Sequence, residues 1–449
     1  MPKKTIQLSD HFTYSRLLRF VLPCIGTMLF TSIYGIVDGL CVSNFVGKTA
    51  FAAVNLIMPL PMLLGTIGFM LGTGGSAIVG ITLGEGDQKK ADRYFTLFLL
   101  AALVSVSVLA VLGIVFLRPI AVLLGAKGEL LDYAVRYGRI LMVSLPTFAL
   151  QNMFQSFFVT AEKPHLGFWF TVGAGCTNMV LDVLMVGVWG WGVEGAAIAT
   201  FISQLVGGVL PVFYFIDRSN SSRLHLCKTS FYSKVLRDAC INGSSELMTN
   251  LSMSLVNILY NYQLLRLAGE NGVAAYGVIM YAAFLFVAVF VGYAVGSAPI
   301  VSFHYGARNH AEVHNLYRKS LRLIAVVAVT LTLASMFIIP CVARIFVGYD
   351  AELLALTSRA FRLYALSFLI MGFNVYASSF FTALGDGVTS ALISFLRTLV
   401  FQLAALLLLP ALWGIDGVWL AVTAAELAAL AVSVYMFVTK DQKFHYRHG

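Results

Sequence analysis

In the otherwise apolar stretch TNMVLDVLMVGVWG, residues 177–190, an asparagine and an aspartate stand four residues apart. On an α-helix that spacing stacks Asn178 and Asp182 on one face. An amide oxygen beside a carboxylate suits a hard cation, which prefers oxygen ligands, or a proton held on a carboxylate away from water. A second acid in apolar surroundings, Asp38, lies in YGIVDGLCVSNFVG, residues 34–47, and Thr200 adds a hydroxyl in GVEGAAIATFISQ, residues 192–204. Asn and Thr inside apolar helices often serve only as interhelical hydrogen-bond glue. An Asp is a stronger signal, because placing one in a membrane costs about 2.5–3.5 kcal/mol and marks a functional candidate by default.

The elements that must position these groups are membrane helices. Of 449 residues, 59% are hydrophobic and 11% charged, against about 25% charged in a soluble domain, and the mean hydropathy is +0.85. Apolar runs of bilayer-crossing length fall near 16–43, 51–82, 94–117, 132–159, 165–189, 192–216, 237–266, 273–303, 318–346, 360–383, 388–411 and 416–438. The pattern predicts an all-α integral membrane protein of twelve spans. The first run is too long and smooth for a cleaved signal peptide. Most Lys and Arg, among them Lys3, Lys4, Arg16, Arg19, Lys89, Lys90, Arg93, Arg218, Arg223, Lys440 and Arg447, fall on the side of the termini. The positive-inside rule therefore puts both termini in the cytoplasm. A net charge of +9 spread over many loops argues for anionic lipid neighbours and against a nucleic-acid partner. Six cysteines without paired spacing, Cys41 among them, suggest neither disulfide nor metal site.

Shifting the chain by 222 lays AAVNLIM (52–58) over AAYGVIM (274–280) and WGVEGAA (191–197) over WGIDGVW (413–419). A shift of 223 aligns Arg136 with Arg359, Arg139 with Arg362, and SFF at 156–158 with SFF at 379–381. The chain reads as a duplicated six-helix unit, with an N-terminal lobe 1–216, a cytoplasmic linker 217–236 and a C-terminal lobe 237–449. Six spans return the chain to its starting side, so the two bundles are related by a pseudo-twofold axis along the membrane normal. Two such lobes rocking about a central cavity are what alternating access requires. Asp38 lies 19 residues beyond Arg19, and Asp182 19 beyond Lys163, so both sit roughly 28 Å along outward-running helices. Thr200 returns to a similar level on the next span, so the four groups can converge. The repeat places Tyr260 opposite Asp38, and Phe401 and Ala405 opposite Asn178 and Asp182. Only the first lobe kept the acids.

Other residues leave alternatives open. Glu246 either attracts a cationic compound, or holds a second-lobe proton, or pairs structurally with Arg397. Glu426 takes the repeat position of Gln204 and reads as a hydrogen-bond partner within its lobe. Methionines such as Met58 and Met280 either line an adaptable cavity or fill gaps.

Over its whole length the chain resembles the MATE (multidrug and toxic compound extrusion) transporters. The resemblance rests on YGIVDGLCVSNFVG, GEGD (84–87), NMVLD (178–182) and GVEGAAIATFISQ in this order and spacing. It implies a V-shaped pair of bundles in the plasma (inner) membrane of a bacterium, acting as a monomer, that expels lipophilic organic cations by antiport with Na⁺ or H⁺. No resident cofactor is implied. The resemblance assigns the coupling site, a possible Na⁺ site, to Asp38, Asn178, Asp182 and Thr200, with Asn152 nearby. SLVNILYN (254–261) and LRTLVF (396–401) are closest to the MepA-like bacterial branch, whereas FFVTAEKP (157–164) departs from the family in lacking an Arg and a Gly after span 4. A flippase for a lipid-linked precursor would favour a strongly basic cavity, but the intramembrane charges here are mainly acidic. A membrane transferase would want a DDxxD motif or a His beside an acid. His304 has no adjacent acid, and the chain does not read as an enzyme.

Overall fold

A computed structural model describes residues 6–46, 48–348 and 350–446, and among them no strand occurs. Lys3, Lys4 and Arg447, counted in the charge bias, lie outside the described residues, as do the side chains of Cys41 and Lys48. The helices of the first half are α1 (Tyr14–Phe45), α2 (Lys48–Ile57), α3 (Pro59–Gly84), α4 (Gln88–Leu123), α5 (Gly128–Thr160), α6 (Pro164–Asp182), α7 (Gly192–Gly208) and α8 (Leu210–Ile216). After α9 (Ser233–Asn242) follow α10 (Ser244–Gly306), α11 (His310–Val347), α12 (Ala351–Ala365), α13 (Phe368–Ala383), α14 (Gly387–Phe395), α15 (Phe401–Trp413), α16 (Ile415–Thr439) and α17 (Asp441–Phe444). Short polar side chains start several of them. Asp87, Asn309, Asp350 and Asp386 each accept a backbone N–H of the first turn that follows, one of the donors that a helix start otherwise leaves unsatisfied.

Among the described residues nine helical runs are long and apolar enough to cross a membrane, and α12 with α13 forms a tenth, bent by 46°. One of the nine is not a single crossing. The 63 residues of α10 would extend about 95 Å across a hydrocarbon core of about 30 Å. Gly269, at φ 60° and ψ −149°, folds the run back on itself, a conformation open to glycine alone at little cost. The rings of Tyr260 and Tyr276 consequently stack 4.9 Å apart, and the Tyr276 hydroxyl donates to Asn257 Oδ1 at 2.7 Å. α5, 33 residues long and carrying Arg136 and Arg139, completes the twelve crossings that the sequence predicts. Span 2 is broken at Met58, where Pro59 restarts the helix, and span 6 at Val209, ahead of Pro211.

The distribution of the core gives the molecule its V shape. At the end bearing the termini one continuous core draws on both halves: Phe20 and Val21 of α1, Val79 of α3, Ile300 of α10 and Phe380 of α13. At the opposite end there are separate cores, one built from α2, α4, α5 and α7 and one from α10 to α13, α15 and α16. Where the halves join, α3 and α10 meet backbone to backbone, and a Cβ on Gly84 or Gly306 would overlap a carbonyl of the facing helix. The segment before α1 crosses the same end. Leu8 N–H donates to Glu162 Oε1 at 2.8 Å, and Phe12 N–H to Glu312 Oε1 at 2.9 Å. The two arms are thus tied at one end and free at the other.

Candidate functional site

Two polar groupings stand out in this frame, and they lie in different lobes. The first is built on α1, α6 and α7, which pack against one another. Asp182 closes α6 and leads into a wider π-helical segment, Val183–Val188; such segments recur where helices carry function. Asp182 is fully buried and Asn178, one turn earlier, is nearly so. Asn178 Nδ2 donates to Thr200 Oγ1 on α7 at 3.5 Å, and the Asp38 and Asp182 carboxyl groups face one another. The structure therefore brings Asp38, Asn178, Asp182 and Thr200 together.

Four acceptor oxygens here, Asp38 Oδ1, Asn178 Oδ1 and both of Asp182, are buried without a hydrogen-bond partner. Buried acceptors normally find donors, so a cluster of unserved ones is suited to a proton or a hard cation. Among the described residues no three His, Cys, Asp or Glu converge as a transition-metal site would need. Asn152 makes no hydrogen bond to the four; it lies on α5 with its amide nitrogen buried and unpartnered. Two tyrosines were not anticipated. Tyr34 lies within electrostatic reach of Asp38, and Tyr137 of both acids. Tyr34 was legible, being one turn before Asp38 on the same helix, whereas Tyr137 reaches the site only through the packing of α5.

The second grouping is a cavity of ≈ 810 Å³ between the arms. It draws mainly on the second half, with Glu246, Tyr260, Tyr276, Met280, Arg397 and Glu426 in its wall, while Asn55 and Thr73 contribute from the first. Arg397 sits in another π-helical segment, Leu396–Val400. Its Nε donates to Glu426 Oε1 at 2.8 Å, and Asn374 Nδ2 donates to Glu426 Oε2 at 2.7 Å. Ser433 in turn donates to Asn374 Oδ1 at 2.9 Å. Glu426 is thus a partner within its lobe, as its repeat position suggested. The Glu246–Arg397 pairing held open by the sequence does not form, because Arg397 is engaged by Glu426 and Glu246 has no ion-pair partner among the described residues. Met280 lines the cavity and Met58 does not; at the break before Pro59 it packs on the first arm's own core. Asn374 was missed, since nothing in its local sequence separates it from other polar residues in spans.

Comparison with known proteins agrees with this architecture. The MatE family model matches residues 23–184 and 247–406. The multidrug export protein MepA of Staphylococcus saprophyticus is 21% identical over 435 residues, covering 96% of this chain and 94% of that protein. Among solved structures, the outward-facing conformation of a multidrug resistance MATE family transporter of the MOP superfamily superposes with a TM-score of 0.92 at 22% identity, covering 99% of both chains. A MOP superfamily transporter from Pyrococcus furiosus, whose binding pocket of reverse polarity is said to suggest a different function, superposes with a TM-score of 0.90 at 22% identity, again covering 99% of both chains. At these identities the structural likeness speaks for the fold alone.

Proposed function

The chain belongs to the MatE family, and on that premise we propose that it is a secondary active multidrug efflux transporter that exports lipophilic organic cations in antiport with Na⁺ or H⁺. The lobes are residues 1–216 and 237–449, joined by the linker 217–236, and both termini face the cytoplasm of a bacterial cell. The observation that carries the reading is the separation of two sites. Unserved acceptor oxygens gather in the first lobe, while an aromatic, Met-containing cavity with acidic groups lies mainly in the second. A cation or proton at Asp38, Asn178, Asp182 and Thr200 favours one arrangement of α1 and α6, because a ligand shifts a conformational equilibrium only through differential affinity. The bound compound is held by charge, by cation–π contact with Tyr260 and Tyr276, and by apolar burial.

Ethidium efflux from vesicles under separately imposed Na⁺ and pH gradients tests this. One of the two gradients is expected to drive uphill export; transport under neither overturns the reading. The runner-up, a flippase for a lipid-linked precursor, draws its support from Arg397 in the cavity wall, and ethidium-insensitive vesicles that translocate a diphosphate lipid would favour it.

A further inference from the structure

Two clusters of cations ring the end of the molecule that bears the termini, and the fold uses them unequally. Around Tyr14, Arg16 Nη1 donates to the His11 carbonyl at 3.1 Å, Lys319 Nζ to the Phe12 carbonyl at 2.7 Å and Arg322 Nη1 to the Tyr14 hydroxyl at 3.4 Å. The other cluster lies where α4, the segment entering α9 and α9 itself meet. Thr229 Oγ1 donates to the Arg93 carbonyl at 2.8 Å, and the Tyr94 and Tyr232 rings pack edge to face 5.5 Å apart. These contacts gather Lys90 and Arg93 of α4, Lys228, and Lys234 of α9, all exposed. The side chains of Arg93, Lys228 and Lys234 meet no hydrogen-bond or ion-pair partner among the described residues, and Lys90 Nζ has the Tyr94 ring, 5.7 Å away. The neighbouring acids are engaged. Asp87 caps α4, Asp92 accepts from the His225 N–H and from Gln88 Nε2, and Asp238 lies 3.4 Å from Arg237.

An apolar surface continues directly from these cations. Phe231, between Lys228 and Lys234, is 76% exposed. On α4, Leu100, Val104, Val111 and Val115 follow Arg93 at steps of seven, four, seven and four residues, which is one face of a helix, and all four are exposed. From Arg93 to Val104 the stripe runs about 16 Å, one leaflet's share of a hydrocarbon core of about 30 Å. α9 is turned outward in the same way. Lys234, Arg237 and Ile241 share its exposed face, while Ala239 and Asn242 are buried against α3, where a Cβ on Gly74 would overlap the Ala239 carbonyl. Basic side chains at the rim, an aromatic ring at headgroup level and an apolar stripe below hold a lipid by its phosphate and its acyl chain together.

From this we infer that the rim of α4 and α9 is a binding site for an anionic phospholipid of the leaflet on the side of the termini. Its phosphate sits among Arg93, Lys228 and Lys234, and an acyl chain lies along Leu100 and Val104. A free phosphate would find the cations but leave Phe231 and the stripe uncovered. A zwitterionic lipid would bring an ammonium of its own against the cluster. The site is on the outside of the bundle, and nothing in it depends on which compounds the cavity takes.

The test is native mass spectrometry of the full chain in detergent, titrated with dioleoylphosphatidylglycerol, dioleoylphosphatidylcholine or glycerol 3-phosphate. The first phosphatidylglycerol is expected to bind about tenfold more tightly than phosphatidylcholine, and excess glycerol 3-phosphate should not displace it. The fourfold variant Lys90→Gln, Arg93→Gln, Lys228→Gln, Lys234→Gln should lose this preference while its thermal unfolding in detergent stays unchanged, since all four side chains are at the surface. The matched variant Arg16→Gln, Arg19→Gln, Arg318→Gln, Arg322→Gln, in the cluster around Tyr14, should keep it. Phe231→Ser should weaken both lipids alike, because it removes apolar contact and no charge. Equal affinities for the two lipids in the unmodified protein, or a preference lost equally in both fourfold variants, overturn the inference. Displacement by glycerol 3-phosphate also overturns it and assigns the cluster to free phosphates, and failure of both lipids to bind leaves it to an acidic protein surface.

Discussion

In the first lobe Glu162, in the connection between spans 4 and 5, pairs with Arg223 just beyond span 6 at 2.6 Å; in the second, Asp386 in the corresponding connection pairs with Lys440 just beyond span 12 at 3.1 Å. Both lobes therefore staple the same two elements with the same kind of contact. Inside the membrane the likeness ends. The π-helical segment of span 5 begins at Val183, 19 residues after Pro164, whereas that of span 11 begins at Leu396, nine after Gly387. The charged groups follow these segments. The first lobe carries a carboxylate pair near the open end of its arm, with no cationic side chain bonded to it among the described residues. The second carries the Arg397–Glu426 pair about 15 Å into its span, in the cavity wall and with both Glu426 oxygens accepting hydrogen bonds. Duplication supplied two equal scaffolds, and the divergence lies in which buried charges were left without partners.

The largest expected effect breaks the first lobe's side of this contrast. Asp38→Asn or Asp182→Asn keeps shape and removes charge, and each should abolish gradient-driven ethidium efflux while drug affinity stays near that of the unmodified protein. The double variant should cost little more than either single one, since the groups act as a unit. Efflux and affinity measured side by side check this, and normal ion-driven efflux in both single variants would reduce the polar face of α6 to helix glue.

On the second lobe's side the expected defect is one of stability. Arg397→Gln leaves the Glu426 carboxylate, 4% exposed, uncompensated, at a cost of about 3 kcal/mol. The paired replacement Arg397→Gln, Glu426→Gln should recover most of that. Thermal unfolding in detergent gives the comparison, and no recovery in the double variant would show that the pair does not act as a unit.

Gly306→Val addresses the seam where the lobes are joined. Forcing a branched side chain against the Ile81 carbonyl should cost the closed seam about 2 kcal/mol. Labelling of Cys24, buried where α1 meets α10 near Gly296, should then rise in a variant whose other cysteines are replaced. Unchanged labelling would mean that the helices yield locally without parting.

The smallest effect belongs to the second lobe's staple. Burial alone would raise the Asp386 carboxyl, but Lys440 and the Thr389 hydroxyl and N–H outweigh it and hold the group below its ordinary value. A depressed carboxylate contributes stability that is fully present above its unfolded pKa, about 3.9, and is lost as pH falls through the lower folded value. Asp386→Asn should therefore cost about 1 kcal/mol at neutral pH and progressively less on acidification below pH ~4. A cost independent of pH would assign the effect to altered hydrogen bonding around the helix cap, which Asn can still form, rather than to the charge.

Several features were legible in the chain because their causes are local. Apolar length gave the crossings, and a residue-by-residue match gave the duplication. Helical spacing put Asn178 and Asp182 on one face, and counting along outward-running helices gave the common level with Asp38. None of these needs a neighbouring helix. What remained undecided was which helix faces meet. The partner of Arg397 turned out to be Glu426 rather than Glu246, Tyr137 entered the acid pair's surroundings from α5, and Met58 turned into the first arm's core while Met280 kept to the cavity. Each depends on the rotation of a helix about its own axis and on where π turns and proline breaks interrupt its register. Those quantities are set by side-chain interlocking across the whole bundle, so the sequence determined which polar groups enter the membrane, and only the tertiary structure decided which of them meet a partner there.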